Sequence, residues 1–234
     1  NNGYAAGNNA GLDYLKEKFG LFDYIIISNP DIEVHLQAIE ACRDFLENHD
    51  TMALAAPRMH GPDGLPHHLS GWKERTFLCD LAYSSGLLSR TVGMYRETYP
   101  ESYFQGEYSR VDCAAGSFFM IKGPVFYEIG KFDPNTFLYY EEDILGVRIK
   151  RAGYEEAVLN RFGFTHFEGT SVNRSLSMVK KYLTMQKSRI YFQRHYRRIN
   201  FAQLLVLYAA TLLGLTEKLV KAVFYRFHDG HPAA

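Results

Sequence analysis

Apolar positions along the first third of the chain alternate between two spacings. In "GNNAGLDYLKEKFG", Leu12, Leu15 and Phe19 recur at i, i+3 and i+7, which predicts a helix capped by Asn8-Asn9 and ended by Gly20. Tyr24 to Ile27 is an unbroken apolar run, the signature of a strand over 24–28 buried on both faces. Ala38, Ile39, Cys42, Phe45 and Leu46 then fall on one helical stripe, and "MALAAP" reads as a second buried strand stopped by Pro57. Helix, strand, helix, strand implies an α/β fold with a parallel sheet flanked by helices.

From 58 to 110 the periodicity fades, and Gly, Pro, His and Tyr accumulate in "HGPDGLPHHLSGWKERTF" and "MYRETYPESYFQGEYSR", which predicts a functional loop or lid. Pattern returns in "GSFFMIKGPVFYEIGKFD", a strand and a short helix with Pro124 in its first turn and Gly130 after its last. Leu145, Arg148, Ile149 and Ala152 share one stripe, so a helix starts near Glu141 or Glu142 and stops at Gly153, before a last strand in "EAVLN". Beyond Ser171 the chain reads as helices. Phe201 to Thr216 carries no charge, is shorter than the ~20 apolar residues of a membrane span, and is flanked by Arg194, Arg197, Arg198, Lys218, Lys221 and Arg226. Two readings stand for it: an interfacial helix on anionic lipid, or a helix packed on the body or on a second copy of the chain in a homo-oligomer.

Charge adds mainly exclusions. Lys+Arg 26 against Asp+Glu 26 leaves no basic excess for nucleic acid. Three dispersed cysteines, Cys42, Cys79 and Cys113, give neither a disulfide framework nor a zinc site, and point to a reducing, cytoplasmic setting.

Candidate chemistry gathers at three places. Asp31 follows the first predicted strand, at the carboxyl end where ligands of open α/β sheets bind, and Asn29 points the same way from an extended segment fixed by Pro30. Such oxygen ligands suit Mg²⁺ or Mn²⁺ bridging a diphosphate, whereas the same Asn-Pro-Asp also makes a turn and helix cap. Glu141, Glu142 and Asp143 open a helix behind the aromatic run "FLYY"; acids there offset the helix dipole, yet three in a row exceed that need and one suits a general base. His166 in "FTHFEG" is either a hydrogen-bonded structural residue or a ligand.

In their order, "GYAAGNNAGL", "YIIISNPD", "GSFFMIKGPVFYEIGKFDPNTFLYYEEDILGVRIKRAGY" and "FTHFEGTS" resemble successive motifs of the bacterial family 2 glycosyltransferases, especially the rhamnosyltransferase-like branch. The resemblance covers roughly Asn2 to Ser171, and "APRMHGPDGLPHHL" resembles the family's turn after the second of these strands. It implies a GT-A fold with a mostly parallel sheet, and sugar transfer from a nucleotide-diphosphate donor with inversion, possible donors including nucleotide-linked rhamnose. It also implies Asn29 and Asp31 at the DXD-type position with Asp31 on Mg²⁺ or Mn²⁺, Asp143 as catalytic base beside Glu142, and His166 near the metal. Gly7 and Asn8 would lie in a glycine-rich turn bordering the nucleotide, Gly116 beside the donor sugar and acceptor, and Arg148 at the family's arginine. The pattern departs at Ile144-Leu145-Gly146, where a second acid is usual and the helix is expected to be less regular. The family's opening strand, helix and strand are not in this sequence, so the chain is expected to be an N-terminally incomplete or shortened member.

The resulting expectation is a glycosyltransferase domain over 1–172, with 58–110 an insertion on the acceptor side, and a C-terminal helical region over 173–234. Its partners would be a nucleotide sugar and a glycan or lipid-linked acceptor, at the inner face of the cell membrane. A non-catalytic carbohydrate-binding or assembly subunit is the rival reading. A nucleotide-sugar pyrophosphorylase would require a glycine-rich, basic phosphate loop that the sequence lacks.

Overall fold

The computed structural model describes residues 2–91, 97–167 and 177–228. Contacts divide the chain into two compact units, one of residues 1–74, 97–135 and 141–168, the other of 75–96, 136–140 and 169–234.

The first unit is a sheet flanked by helices. Its strands are β1 (Tyr24–Ser28), β2 (Ile32–Val34), β3 (Met52–His60), β5 (Tyr108–Val111), β7 (Phe118–Lys122) and β8 (Glu155–His166), with β4 (Gly71–Trp72) and β6 (Cys113–Ala114) forming a separate ribbon. The order is β1-β7-β3-β8-β2, and β5 also pairs with β8. Among the described residues only β3 and β8 pair in parallel; β1–β7, β3–β7, β2–β8 and β5–β8 are antiparallel. The mixed α/β sandwich stands, but the expectation of a mostly parallel sheet holds at this one ladder. β1 and β3 do run in the same direction, whereas β7 and β8, also linked through helices, run opposite. β1 and β3 are not neighbours, because β7 inserts between them.

Burial follows this order. β3, at the centre, is buried from Met52 to Met59, whereas β1 lies at the sheet's edge and alternates, with Ile25 and Ile27 inside and Ile26 41% exposed. The expectation that β1 is covered on both faces is therefore corrected. Pro57 does not end β3; it sits at a register shift between Pro57 and Arg58, where a missing N–H is tolerated.

Three helices pack on the sheet: α1 (Tyr4–Phe19), α2 (Leu36–Glu47) and α6 (Glu141–Arg151), joined by the short α5 (Gly123–Glu128). Phe119, Ile121, Phe126, Phe132, Leu145, Ile149 and Val158 belong to one buried cluster that also takes in Leu12 of α1 and Ile25 and Ile27 of β1. α1 starts at Tyr4, earlier than the Asn8-Asn9 cap predicted. Asn9 is instead paired with the backbone of Phe132, donating to its carbonyl at 2.8 Å and accepting from its N–H at 3.1 Å. α6 is regular through Gly146, where any Cβ would overlap the Asp112 carbonyl; the missing side chain lets the helix close on that backbone, so the expected irregularity is not seen.

Regular structure also occupies much of 58–110, in the end of β3, β4, a 3₁₀ turn at Glu101–Tyr103 and β5. Elements of two to four residues carry too few repeats to show a period.

The second unit holds α3 (Phe77–Ala82), α4 (Gly86–Thr91), α7 (Met178–His195) and α8 (Phe201–His228). A buried polar network ties α3 to α7: Arg189 donates to Tyr140 Oη at 2.8 Å and to Ser84 and Gln186 at 3.1 Å. Tyr140 and Gln193 in turn donate to the Asp80 carboxylate at 2.5 and 2.6 Å.

Candidate active site

The Asn29-Pro30-Asp31 turn joins β1 to β2, and α2 starts only at Leu36 with His35 as its N-cap, so Asp31 is not a helix cap. β2 pairs with the end of β8 in the register Ile32↔His166 and Val34↔Phe164, and Phe167 N–H donates to the Asp31 carbonyl at 2.9 Å. Register alone thus brings together residues far apart in sequence: His166 Nε2 lies 3.3 Å from Asp31 Oδ1. His166 is the last residue of β8, which runs six residues beyond the strand read from the sequence. A small cavity of about 60 Å³, lined by His60, His67 and His166 among others, opens beside it.

The second acidic group is set by the β4–β6 ribbon. Pairing of Trp72 with Cys113 directs the indole toward the first turn of α6, where Nε1–H donates to Asp143 Oδ1 at 3.0 Å. Asp143 is 3% exposed, and Cys113 Sγ lies 4.0 Å from the same oxygen. Tyr139 and Tyr140, the two residues before α6, both have positive φ, 73° and 72°, a costly conformation for bulky side chains.

One backbone segment touches both groups. Ser117 carbonyl accepts from Asn29 N–H at 2.8 Å, and Gly116 lies so close to the Glu142 carboxylate that a Cβ would overlap it. Gly116 carbonyl also accepts from Tyr4 Oη at 3.2 Å. Asn29, Asp31, Gly116, Glu142, Asp143 and His166 are therefore brought into one region of the first unit.

Gly7, Asn8 and Arg148 are placed elsewhere. Gly7 and Asn8 lie inside α1, not in a turn, with Asn8 donating to the Tyr4 carbonyl at 3.0 Å; a helical start at Tyr4 leaves no loop there. Both line an open groove of about 590 Å³ between α1 and β1. Arg148 spans the loop after α5, bonding the Lys131 carbonyl at 2.9 Å and pairing with Asp133 at 3.3 Å.

Two residues of the region were not singled out in the sequence. Trp72 is the chain's sole tryptophan and lies in the patternless segment, which was a usable signal. Glu156, inside a β8 read only as a strand, gave none. Its carboxyl accepts from Ala114 N–H at 2.8 Å, its Oε1 has no hydrogen-bond partner among the described residues, and burial, with Asp112, Asp143 and Glu142 nearby, pushes it well above the usual glutamate range.

Among the described residues no group of three or more His, Cys, Asp or Glu side chains could hold a metal. The Asp31–His166 pair supplies one carboxylate and one imidazole, a set that suits a divalent ion whose remaining ligands come from phosphate and water.

No protein-family model matches the chain. It is similar to the low-salt glycan biosynthesis hexosyltransferase Agl10 of Haloferax volcanii, at 27% identity over 240 residues, which covers 97% of this chain and 72% of that protein. It is also similar to the rhamnosyltransferase WbbL of Escherichia coli, 24% identical over 167 residues, 70% of this chain and 61% of that protein. Among solved structures, GalNAc-T7 with UDP, GalNAc and Mn²⁺ superposes with a TM-score of 0.53 at 14% identity, over 84% of this chain and 36% of that one. The curated relatives are glycosyltransferases, and the fold is GT-A, as the sequence motifs implied.

Proposed function

With glycosyltransferases as relatives and GT-A as the frame, we propose that this chain carries the catalytic site of an inverting family 2 type hexosyltransferase. It would move a sugar, rhamnose being the first to test, from a nucleotide-diphosphate donor to a hydroxyl of a growing surface polysaccharide or lipid-linked glycan. The observation that carries this reading is the Gly116-Ser117 backbone, which touches both the Asn29–Asp31 turn and the acidic first turn of α6.

Asp143 takes the acceptor hydroxyl's proton, with its carboxylate oriented by the Trp72 indole N–H. The acceptor oxygen bonds to the anomeric carbon from the face opposite the diphosphate, whose C–O bond breaks and whose oxygen leaves with the electron pair. Glu142, seated against Gly116, lines the acceptor side. Asp31 and His166, with Asn29 beside them, would hold Mg²⁺ or Mn²⁺, which when bound neutralises charge on the leaving diphosphate.

Asp143→Asn tests the assignment. Transfer should fall by about 10²-fold or more, while Mn²⁺-dependent donor binding, read by calorimetry, stays within a few-fold. Full transfer by the variant would overturn the base assignment. A wild-type protein that binds glycan but neither binds nor turns over any nucleotide sugar would instead support the non-catalytic subunit.

A further inference from the structure

α8 exposes one long face without a charged side chain. Phe201–Phe224 has a mean hydropathy of 1.4, and only 22% of its apolar window is buried. At about 100° per residue, Phe201, Leu205, Leu212, Leu219 and Val223 fall within about 40° of one another, and Val206, Leu213, Val220 and Phe224 continue the same stripe. Exposure is high along its whole length: Phe201 74%, Leu212 62%, Val220 69% and Phe224 57%. A stripe of about 36 Å made of such residues exceeds the apolar patches that soluble monomers leave open.

The opposite face is committed within the second unit. Leu207 and Ala210 are buried, and Gly214 lies so close to the Ser84 carbonyl and the Tyr182 hydroxyl that a Cβ would overlap both. Tyr182 Oη lies within hydrogen-bond distance of the Ser84 and Thr211 carbonyls, at 2.7 and 2.8 Å. Glu217, the one acid of α8, accepts from Ser85 Oγ at 2.7 Å and from the N–H groups of Gly86 and Leu87 at 2.7 and 3.1 Å. With one side fastened to protein and polar along its length, α8 cannot be surrounded by lipid, although it is long enough to cross a bilayer. Its open side, however, matches a bilayer surface. At the same 100° per residue Lys221 lies about 60° beyond the stripe's edge and Lys218 on the committed side, while Arg194, Arg197 and Arg198 lie at the end of α7 and in the connection before Phe201, where the stripe begins, so the charge at that end is basic.

We infer that α8 lies in the plane of an anionic lipid surface, its apolar stripe sunk to the headgroup–acyl boundary and Arg194, Arg197 and Arg198, before its first turn, at the phosphates. This surface is independent of the catalytic assignment and deepens only its lipid-linked branch, and the experiment reads membrane association alone.

In flotation assays the full chain should rise with vesicles containing about a third phosphatidylglycerol, and bind several-fold less to pure phosphatidylcholine or in about 1 M salt. Leu212→Glu with Val220→Glu should reduce the floated fraction at least about tenfold, with the thermal unfolding midpoint unchanged. Should that double variant fail to fold, Arg194→Gln with Arg198→Gln provides the second arm: several-fold weaker on anionic vesicles, unchanged on neutral ones. No flotation with any vesicle, or equal flotation with neutral and anionic ones, would overturn the inference. So would a dimer, seen by light scattering, that the glutamate substitutions dissociate.

Discussion

Replacing Glu156 by Gln should make the protein more stable at neutral pH, and the gain should shrink to nothing in acid. The carboxyl is 3% exposed, held by one N–H at 2.8 Å, and faces the charges of Asp112, Asp143 and Glu142, so the native state retains its proton well above the ordinary value of 4.5. An unfolded chain releases that proton near 4.5. Between the two values the native state binds more protons, and stability falls as pH rises, by about 1.4 kcal/mol for each pH unit of the window. Below the unfolded value the carboxyl contributes no such slope. Gln is nearly isosteric with the protonated acid: its carbonyl can accept from Ala114, and it has no proton to keep. Urea unfolding of both proteins at a series of pH values from 5 upward should give curves that diverge, the variant gaining on the wild type until the folded-state carboxyl ionises. Parallel stability curves, or a variant that loses ground as pH rises, would refute the argument and show that Glu156 is ionised in the folded protein.

Trp72→Phe keeps most of the ring but removes the N–H that holds Asp143 Oδ1 at 3.0 Å; unfolding free energy should drop by about 1.5–3 kcal/mol. Transfer kcat should fall about tenfold or more with donor KM little changed, and an unchanged kcat in steady-state assays would remove Trp72 from the mechanism. Arg189→Met takes from the buried Asp80 carboxylate the guanidinium 3.5 Å away and leaves Arg75 as the cation beside it; denaturant melts should show a loss of about 3 kcal/mol. A loss below about 1 kcal/mol would mean that Tyr140, Gln193 and the charge of Arg75 suffice to hold Asp80.

Much of the candidate site was legible in sequence because the acids stand at places that local pattern marks. Asp143 opens a helix whose start was placed within a residue, and Asp31 follows a strand whose bounds were read correctly. Trp72 was harder, since its partner strand is two residues long and its register with Cys113 is a tertiary fact. Glu156 was hidden because a strand residue's burial and neighbours depend on what packs over it.

By itself the sequence determined β1, the first part of β3, β7, the first part of β8, the longer helices and the uncharged stripe of α8, since all of these follow from spacing along one chain. It did not determine adjacency. β7 enters antiparallel between β1 and β3, and the β2–β8 register sets His166 against Asp31. Pairing across a sheet is decided by which backbones find partners and which faces are buried, and those choices join segments far apart in sequence, Ile32 with His166 among them. The same physics explains Gly7, Asn8 and Arg148: sequence marked them as notable, while packing placed the first two in a helix and spent the third on a loop.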